Sequence, residues 1–208
     1  MKKPMMLPMA SVLFLLLQGC GLDPGGYEVR DSRYTIPQEA DPEWLKVAKA
    51  ELGVSEQRGS GQHNQRILEY FRSVGDSWIQ SDETPWCGAF VGWSLLQSGE
   101  PIAKPRMGSF RAISAQTWKL YGKELTEDAL VPGVIIVIYD TERTSEDTRS
   151  GYHVGFYLDR IVEDDQEHLI ILGGNQSNRV SVKSYPMNKW EIRELRWPRT
   201  RQALGRVR

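Results

Sequence analysis

The chain has 208 residues and a formal net charge of −1 at pH 7, from 26 basic and 27 acidic side chains. This length suits a single domain with a substantial core. The balance of charge excludes the strongly basic composition that is typical of nucleic-acid-binding domains, so we expect no nucleic-acid partner.

The N-terminal residues resemble an export signal. Two lysines precede the apolar run 7–17, which is shorter than the roughly 18 residues that a membrane-spanning helix needs. The run ends in the segment Leu17–Cys20, which is similar to a bacterial lipobox and implies a lipid on Cys20. Cleavage at an ordinary signal-peptidase site is the alternative, because Gln18 stands where small residues are common. We therefore expect an exported protein, anchored by lipid on the periplasmic side of the outer membrane or cell envelope.

Four helices are predicted after a tether rich in glycine and proline. Apolar residues at helical spacing, bounded by capping residues and glycines, place them at 41–53, 64–73, 84–99 and 113–122. The expected organisation is a signal peptide at 1–19, the tether at 20–40, one folded domain at 41–198 and a basic tail at 199–208.

Beyond Gly122 the pattern changes to short β-branched and aromatic runs that are separated by polar turns. These runs predict five strands, at 134–139, 154–158, 169–172, 180–182 and 192–197. Helices followed by an antiparallel sheet define an α+β domain.

The first candidate for chemistry is Cys87. The chain has two cysteines. If Cys20 carries lipid, Cys87 is the one thiol that remains in an exported chain, and it cannot form an internal disulfide. Thr84 as N-cap and Pro85 in the first turn place Cys87 at a helix N-terminus. There the helix dipole is expected to lower the pKa of the thiol, and free N–H groups can hold an oxyanion. The alternative is that Cys87 is a small buried hydrophobe.

Two further residues complete a candidate triad. His153 begins a strand after a polar loop, where an imidazole can take the thiol proton and return it to a leaving amine. Asn175 follows a strand and a Gly-Gly bend, from which its amide oxygen can accept the other imidazole N–H and fix the tautomer. A structural histidine and a hairpin turn are the alternatives for these two positions.

Four more residues are candidates for substrate binding. Trp86 is expected to wall the cleft, with core packing as its alternative. Glu56, Asp82 and Gln176 are expected to contact substrate amines or the oxyanion region, with capping or solvated roles as alternatives. No pair of residues has zinc-ligand spacing, and no Gly-x-Ser-x-Gly motif is present, so we expect neither a metal nor another cofactor.

Several ordered segments together resemble small bacterial and phage CHAP-like proteins, which belong with the NlpC-type papain-like cell-wall hydrolases. They are Gly53–Glu56, Asn64–Tyr70, Asp82–Val91, His153–Tyr157 and Leu172–Gln176. The resemblance implies a papain-like fold and a cysteine amidase or endopeptidase that cleaves peptidoglycan peptides through a thioester. It implies Cys87 as nucleophile, His153 as general base and acid, and Asn175 as the residue that orients the imidazole.

The chain departs from this family at two places. Gly133-Val134 stands where relatives open the strand with Gly-Asp, and Tyr152 stands where they often have glycine before the histidine. Alternative functions are a wall-binding lipoprotein without turnover, acyl transfer to an amine or lipid, and the same hydrolysis used by a lytic toxin or phage lysis factor. A toxin would bring an immunity or inhibitor protein as partner.

Overall fold

The computed structural model describes residues 41–59, 61–102, 110–144 and 151–199, which belong to one compact unit. The predicted signal, the lipid on Cys20 and the tether lie outside the described residues, as does the basic tail beyond Arg199. Within the described ranges, no helix is both long and apolar enough to span a membrane.

Helices come first along the described chain and strands follow. The α-helices are α1 (Glu43–Ala50), α2 (Gln65–Ser73) and α3 (Cys87–Gln97), and two 3-10 helices span Ala115–Leu120 and Glu127–Ala129. The strands are β1 (Lys123–Glu124), β2 (Ile135–Asp140), β3 (Tyr152–Glu163), β4 (Gln166–Gly173), β5 (Ser181–Pro186) and β6 (Trp190–Trp197).

The strands form one sheet in the order β1-β6-β2-β3-β4-β5, and every neighbouring pair is antiparallel. The predicted α+β class is therefore confirmed. The sheet has one strand more than predicted, because the exposed pair Lys123–Glu124 adds to the edge of β6 without any apolar pattern to reveal it.

β3 is much longer than the predicted strand 154–158. Its outer half continues past a β-bulge between Tyr157 and Asp159 and pairs with β4 up to Glu163. Asp164 and Asp165, both with positive φ, close the hairpin, as a tight two-residue turn requires. The residues of this outer half, 159–163, mix polar and apolar side chains that are half-buried or exposed, so this half lacks the apolar run that marked the inner half.

The helix boundaries differ from prediction in ways that have local causes. The N-cap of α1 is Pro42, because Asp41 pairs with Lys49 instead of capping. The predicted start of α2 at Asn64 agrees with the structure, where Asn64 is the N-cap and its side chain accepts the N–H of Arg66 at 2.9 Å. The predicted fourth helix is the short 3-10 helix Ala115–Leu120.

α3 is the central helix of the domain. It is buried on every side from Cys87 to Leu95, and it packs against α1, α2 and β3. Two glycines allow this close packing. A Cβ on Gly88 would lie 2.3 Å from the backbone oxygen of Ala112, and one on Gly92 would lie 2.7 Å from Val74 Cγ1. The residues around α3 thus fix where its first residue lies.

Candidate active site

Cys87 is the first residue of α3, and Trp86 is its N-cap. Helix formation begins there because the backbone of Trp86 is not helical, while its carbonyl accepts the N–H of Phe90 at 2.9 Å. The predicted N-cap, Thr84, is therefore wrong by two residues. The prediction that Cys87 lies in the first helical turn is confirmed.

Cys87 is buried, with 7% of the residue exposed. Burial raises its pKa, and this effect outweighs the backbone N–H groups of Val154, Gly88 and Cys87, which favour the thiolate. The predicted lowering of this pKa is therefore wrong for the resting protein. Desolvation at this depth exceeds what a helix N-terminus supplies, so the resting sulfur is protonated at neutral pH.

His153, near the start of β3, is nine-tenths buried, and its neighbour Val154 is the residue whose N–H approaches the Cys87 sulfur. Burial lowers the pKa of His153, the hydrogen bond with Gln176 opposes burial, and the positive charge of Lys183 adds to the lowering, so that the pKa is about 4. The imidazole is therefore neutral at pH 7, as a general base must be before it accepts a proton.

The second imidazole nitrogen meets Gln176 rather than the predicted Asn175. Nε2 of His153 lies 3.2 Å from Gln176 Oε1, and Gln176 is 3% exposed. Asn175 lines the cleft with its backbone in the left-handed region. A Cβ on Gly173 would lie 2.9 Å from His153 Nε2 and 3.1 Å from Gln176 Oε1, so glycine is needed for the contact to form.

The contacts of Gln176 fix the direction of its amide group. Its Nε2 donates to the backbone oxygen of Ser181 and lies 3.2 Å from the Ser181 hydroxyl. Its Oε1 also accepts the hydroxyl of Tyr185 at 2.8 Å. Because Oε1 can only accept, Nε2 of His153 carries the hydrogen, and Nδ1 keeps a lone pair. Nδ1 is the nitrogen that a general base needs.

Tyr185 is a site residue that sequence reasoning missed. Its ring stacks on the His153 imidazole with centroids 5.6 Å apart and an interplanar angle of 23°. Trp190 packs edge-on against Tyr185 at 4.9 Å, and both residues line the cleft. Alternation along β5 predicts that positions 183 and 185 share one face, but no motif marks that face as functional.

Cys87 and His153 open into one cleft of about 890 Å³, a volume that suits a peptide. Its walls come from the loops before α2 and α3, the first residue of α3, the loops after β2 and β4, and strands β2, β3, β5 and β6. Besides these two residues and Tyr185, the lining consists of Glu56, Glu83, Pro85, Asp140, Arg143, Gly151, Tyr152, Asn175, Gln176, Ser177, Asn178, Lys183 and Trp190.

Glu56 lies on the cleft wall, where we expected a substrate contact. Its Oε1 accepts the indole N–H of Trp86 at 3.0 Å. Burial raises the pKa of the Glu56 carboxyl, and the negative charges of Asp82 and Glu83 raise it further, against the hydrogen bond from Trp86. Trp86 itself is fully buried and packs against Tyr70 and Phe90, so it supports Glu56 from the core.

Asp82 is fully buried beneath the loop that carries Glu56, and it does not line the cleft formed by the described residues. It accepts the backbone N–H groups of Gln57 and Asn64 at 2.9 and 2.8 Å, and it lies 2.9 Å from His63 Nδ1. Burial raises its pKa, but these three hydrogen bonds outweigh burial and hold the pKa below its usual value. Its contacts are those of the predicted alternative, a residue that orders its own loop.

His63 and His168 have structural partners, since His168 Nδ1 lies 2.7 Å from the hydroxyl of Ser184. In the part of the chain that the structure describes, no three His, Cys, Asp or Glu side chains converge on a point where a metal would bind. No protein-family model matches the chain, and no curated protein matches it.

Proposed function

We propose that this protein is a papain-like cysteine hydrolase that cleaves amide bonds of peptidoglycan peptides, with Cys87, His153 and Gln176 as its triad. One observation carries the proposal. A buried thiol at a helix N-terminus and a buried neutral imidazole, whose Nε2 is held by Gln176 Oε1, line the same cleft. This is the set of groups that nucleophilic acyl transfer requires.

The reaction begins from a neutral thiol and a neutral imidazole. When the substrate amide enters the cleft, His153 Nδ1 takes the thiol proton and the sulfur attacks the carbonyl carbon. The oxygen of the tetrahedral intermediate is stabilised by N–H groups at the start of α3. These N–H groups are free to donate because no preceding helical turn provides a carbonyl to accept them. The imidazolium then protonates the leaving amine, and a thioester remains on Cys87.

Hydrolysis completes the cycle through the same residues. Neutral His153 takes a proton from water, the hydroxide attacks the thioester carbonyl, and the proton returns to the sulfur as the carboxylic acid leaves. Gln176 holds the imidazole through both steps, because its acceptor oxygen can satisfy the neutral ring and the imidazolium alike.

The choice of substrate rests on the N-terminal segment and on the family resemblance. An export signal with a lipobox would hold the domain at the cell envelope, where peptidoglycan is the abundant source of amide bonds. We therefore place the protein, as part of this proposal, on the periplasmic side of the outer membrane or cell envelope, with lipid on Cys20 as the anchor.

Mass analysis of muropeptides tests the proposal. Purified peptidoglycan is incubated with the protein and, in parallel, with its Cys87→Ala variant. We expect new fragments from the native protein and none from the variant, and the fragment masses would identify the cleaved bond. If a folded protein with a titratable thiol yields no fragments from any wall type, the proposed function is wrong.

A further inference from the structure

Lys183 lies in the cleft beside the candidate base. It is exposed on β5, two residues before Tyr185 and on the same strand face. Its ammonium nitrogen lies 5.2 Å from the centroid of the Tyr185 ring, and that ring stacks on His153. A positive charge is therefore held close to the imidazole.

The described residues provide no carboxylate within salt-bridge distance of Lys183. Other lysines of the domain do have such partners, for example Lys46 with Glu43 and Lys189 with Glu142. Lys183 contacts an aromatic face instead, which leaves its charge available to a ligand.

The remaining charges of the cleft are engaged elsewhere. Glu56 accepts the indole N–H of Trp86, and the negative charge of Glu83 raises the pKa of the Glu56 carboxyl. Asp140 lies 3.9 Å from Lys189. Arg143 also lines the cleft and adds positive charge to the wall formed by the strands. Lys183 is the residue whose charge acts on His153 itself.

A cation in this position opposes catalysis by the empty site. His153 must become an imidazolium when it takes the thiol proton, and a neighbouring ammonium raises the energy of that state. A carboxylate bound to Lys183 would cancel this repulsion at the moment when the substrate is in place.

We propose that Lys183 is a specificity-determining residue that binds a free carboxylate on the substrate, next to the amide that is cleaved. This inference rests on the proposed function and narrows its substrate class to peptides with a free carboxylate near the scissile bond. The same peptide with a carboxamide at that position is expected to be a poor substrate.

The first experiment needs no hydrolysis. Iodoacetate and iodoacetamide both alkylate a cysteine: the sulfur bonds to the methylene carbon, iodide leaves, and the thiol proton passes to the base. They differ in that only iodoacetate carries a carboxylate. The full chain is used with Cys20→Ser, so that Cys87 is the last thiol, and the ratio of the two alkylation rates is measured at low ionic strength.

We expect Lys183→Met to lower the iodoacetate-to-iodoacetamide ratio about fivefold, since one nearby charge is lost. Lys119→Met is the matched control, because the ammonium of Lys119 also lies 5.2 Å from a tyrosine ring, that of Tyr152, but Lys119 does not line the cleft as described. This control is expected to keep the native ratio. An equal ratio in native protein and Lys183→Met would overturn the proposal.

The second experiment uses a wall peptide that the protein cleaves, prepared in two forms. One form has a free carboxylate next to the scissile amide, and the other has a carboxamide at the same position. We expect the native protein to prefer the carboxylate form about tenfold in kcat/KM, and Lys183→Met to lose this preference. A native protein that cleaves both forms equally would contradict the inference. If nothing is cleaved but the alkylation ratio still falls in Lys183→Met, the proposed hydrolase function fails and the carboxylate site stands.

Discussion

The two walls of the cleft are buried to a similar extent but are held by different forces. The helical wall, α3, is packed on all sides. Neighbouring segments approach it so closely at its glycines that a Cβ atom would not fit there. The wall on the sheet carries His153, Gln176 and Tyr185, which are buried polar side chains that satisfy one another. The position of Cys87 is therefore fixed by close packing, and that of His153 by hydrogen bonds.

The largest effect is expected from adding volume to the helical wall. In Gly88→Ala, the new methyl would lie 2.3 Å from a backbone oxygen of Ala112, which cannot move aside alone. We expect the free energy of unfolding to fall by about 3 kcal/mol, measured by urea denaturation.

Gly92→Ala is the comparison that tests this explanation. Its methyl would meet a side-chain atom, Val74 Cγ1, at 2.7 Å, and a side chain can rotate. The higher helix propensity of alanine, about 1 kcal/mol, also offsets part of the strain. If the two variants lose equal stability, contact with a backbone atom is no more costly at Gly88 than contact with a side chain is at Gly92, and this explanation is wrong.

The next effect concerns the wall on the sheet. It tests whether Gln176 or Asn175 orients the His153 imidazole. Gln176→Leu leaves the His153 Nε2–H and the Tyr185 hydroxyl buried without an acceptor. We expect kcat to fall by roughly 10²- to 10⁴-fold, because the imidazole loses its fixed tautomer. The unfolding free energy should also fall by about 1–3 kcal/mol.

Asn175→Gly is the matched control, since glycine accepts the left-handed backbone of this position. If Gln176 holds the imidazole, this variant should keep kcat within about threefold of the native value, which is less than the effect of one lost hydrogen bond. A greater loss of kcat in Asn175→Gly than in Gln176→Leu would restore Asn175 as the orienting residue.

The sequence allowed the placement of Cys87 on a helix and of His153 on a strand to be predicted, because each occupies a regular element. Cys87 follows a Pro-Trp step before an apolar helix, and His153 opens an apolar strand. The α+β order of helices and strands was visible for the same reason, since apolar periodicity reports regular elements that bury one face.

The identity of the imidazole partner could not be predicted in the same way. Asn175 and Gln176 are adjacent amides, and the choice depends on the left-handed backbone at Asn175 and on the room that Gly173 leaves. The direction of the thiol pKa shift was missed for a related reason. Burial of Cys87 depends on segments that are distant in sequence, such as the one around Ala112 that packs on Gly88.

A pH-dependent effect follows from the buried imidazole. The pKa of His153 is about 4 in the folded protein against 6.5 for an ordinary histidine. Below pH 6.5 the unfolded chain therefore binds a proton that the folded protein excludes, so stability is lost as pH falls from about 6.5 to about 4. Denaturation midpoints between pH 7 and pH 4 should fall less steeply in His153→Gln than in the native protein.

Comparing the native protein with His153→Gln isolates the contribution of one titratable group to the pH dependence of stability. Asp82, whose pKa is held below its usual value, also loses its stabilising contribution in acid, but it does so equally in both proteins. Parallel midpoint curves for the native protein and His153→Gln would mean that the imidazole is protonated at the same pH folded and unfolded. The sheet wall would then be more hydrated than its burial implies.

The smallest effect is expected at Tyr185. In Tyr185→Phe, the stacking on His153 stays, and Gln176 Oε1 loses one of its two donors. Stability should fall by about 1 kcal/mol and kcat by only a few-fold, because the Ser181 carbonyl still fixes the amide direction.

In a Gln176→Leu background the hydroxyl of Tyr185 has already lost its acceptor, so removing it should cost nothing or restore stability. A double-mutant cycle of Tyr185→Phe and Gln176→Leu therefore measures the coupling on which the polar wall depends. Additive losses would show that these two side chains are held by packing, as α3 is.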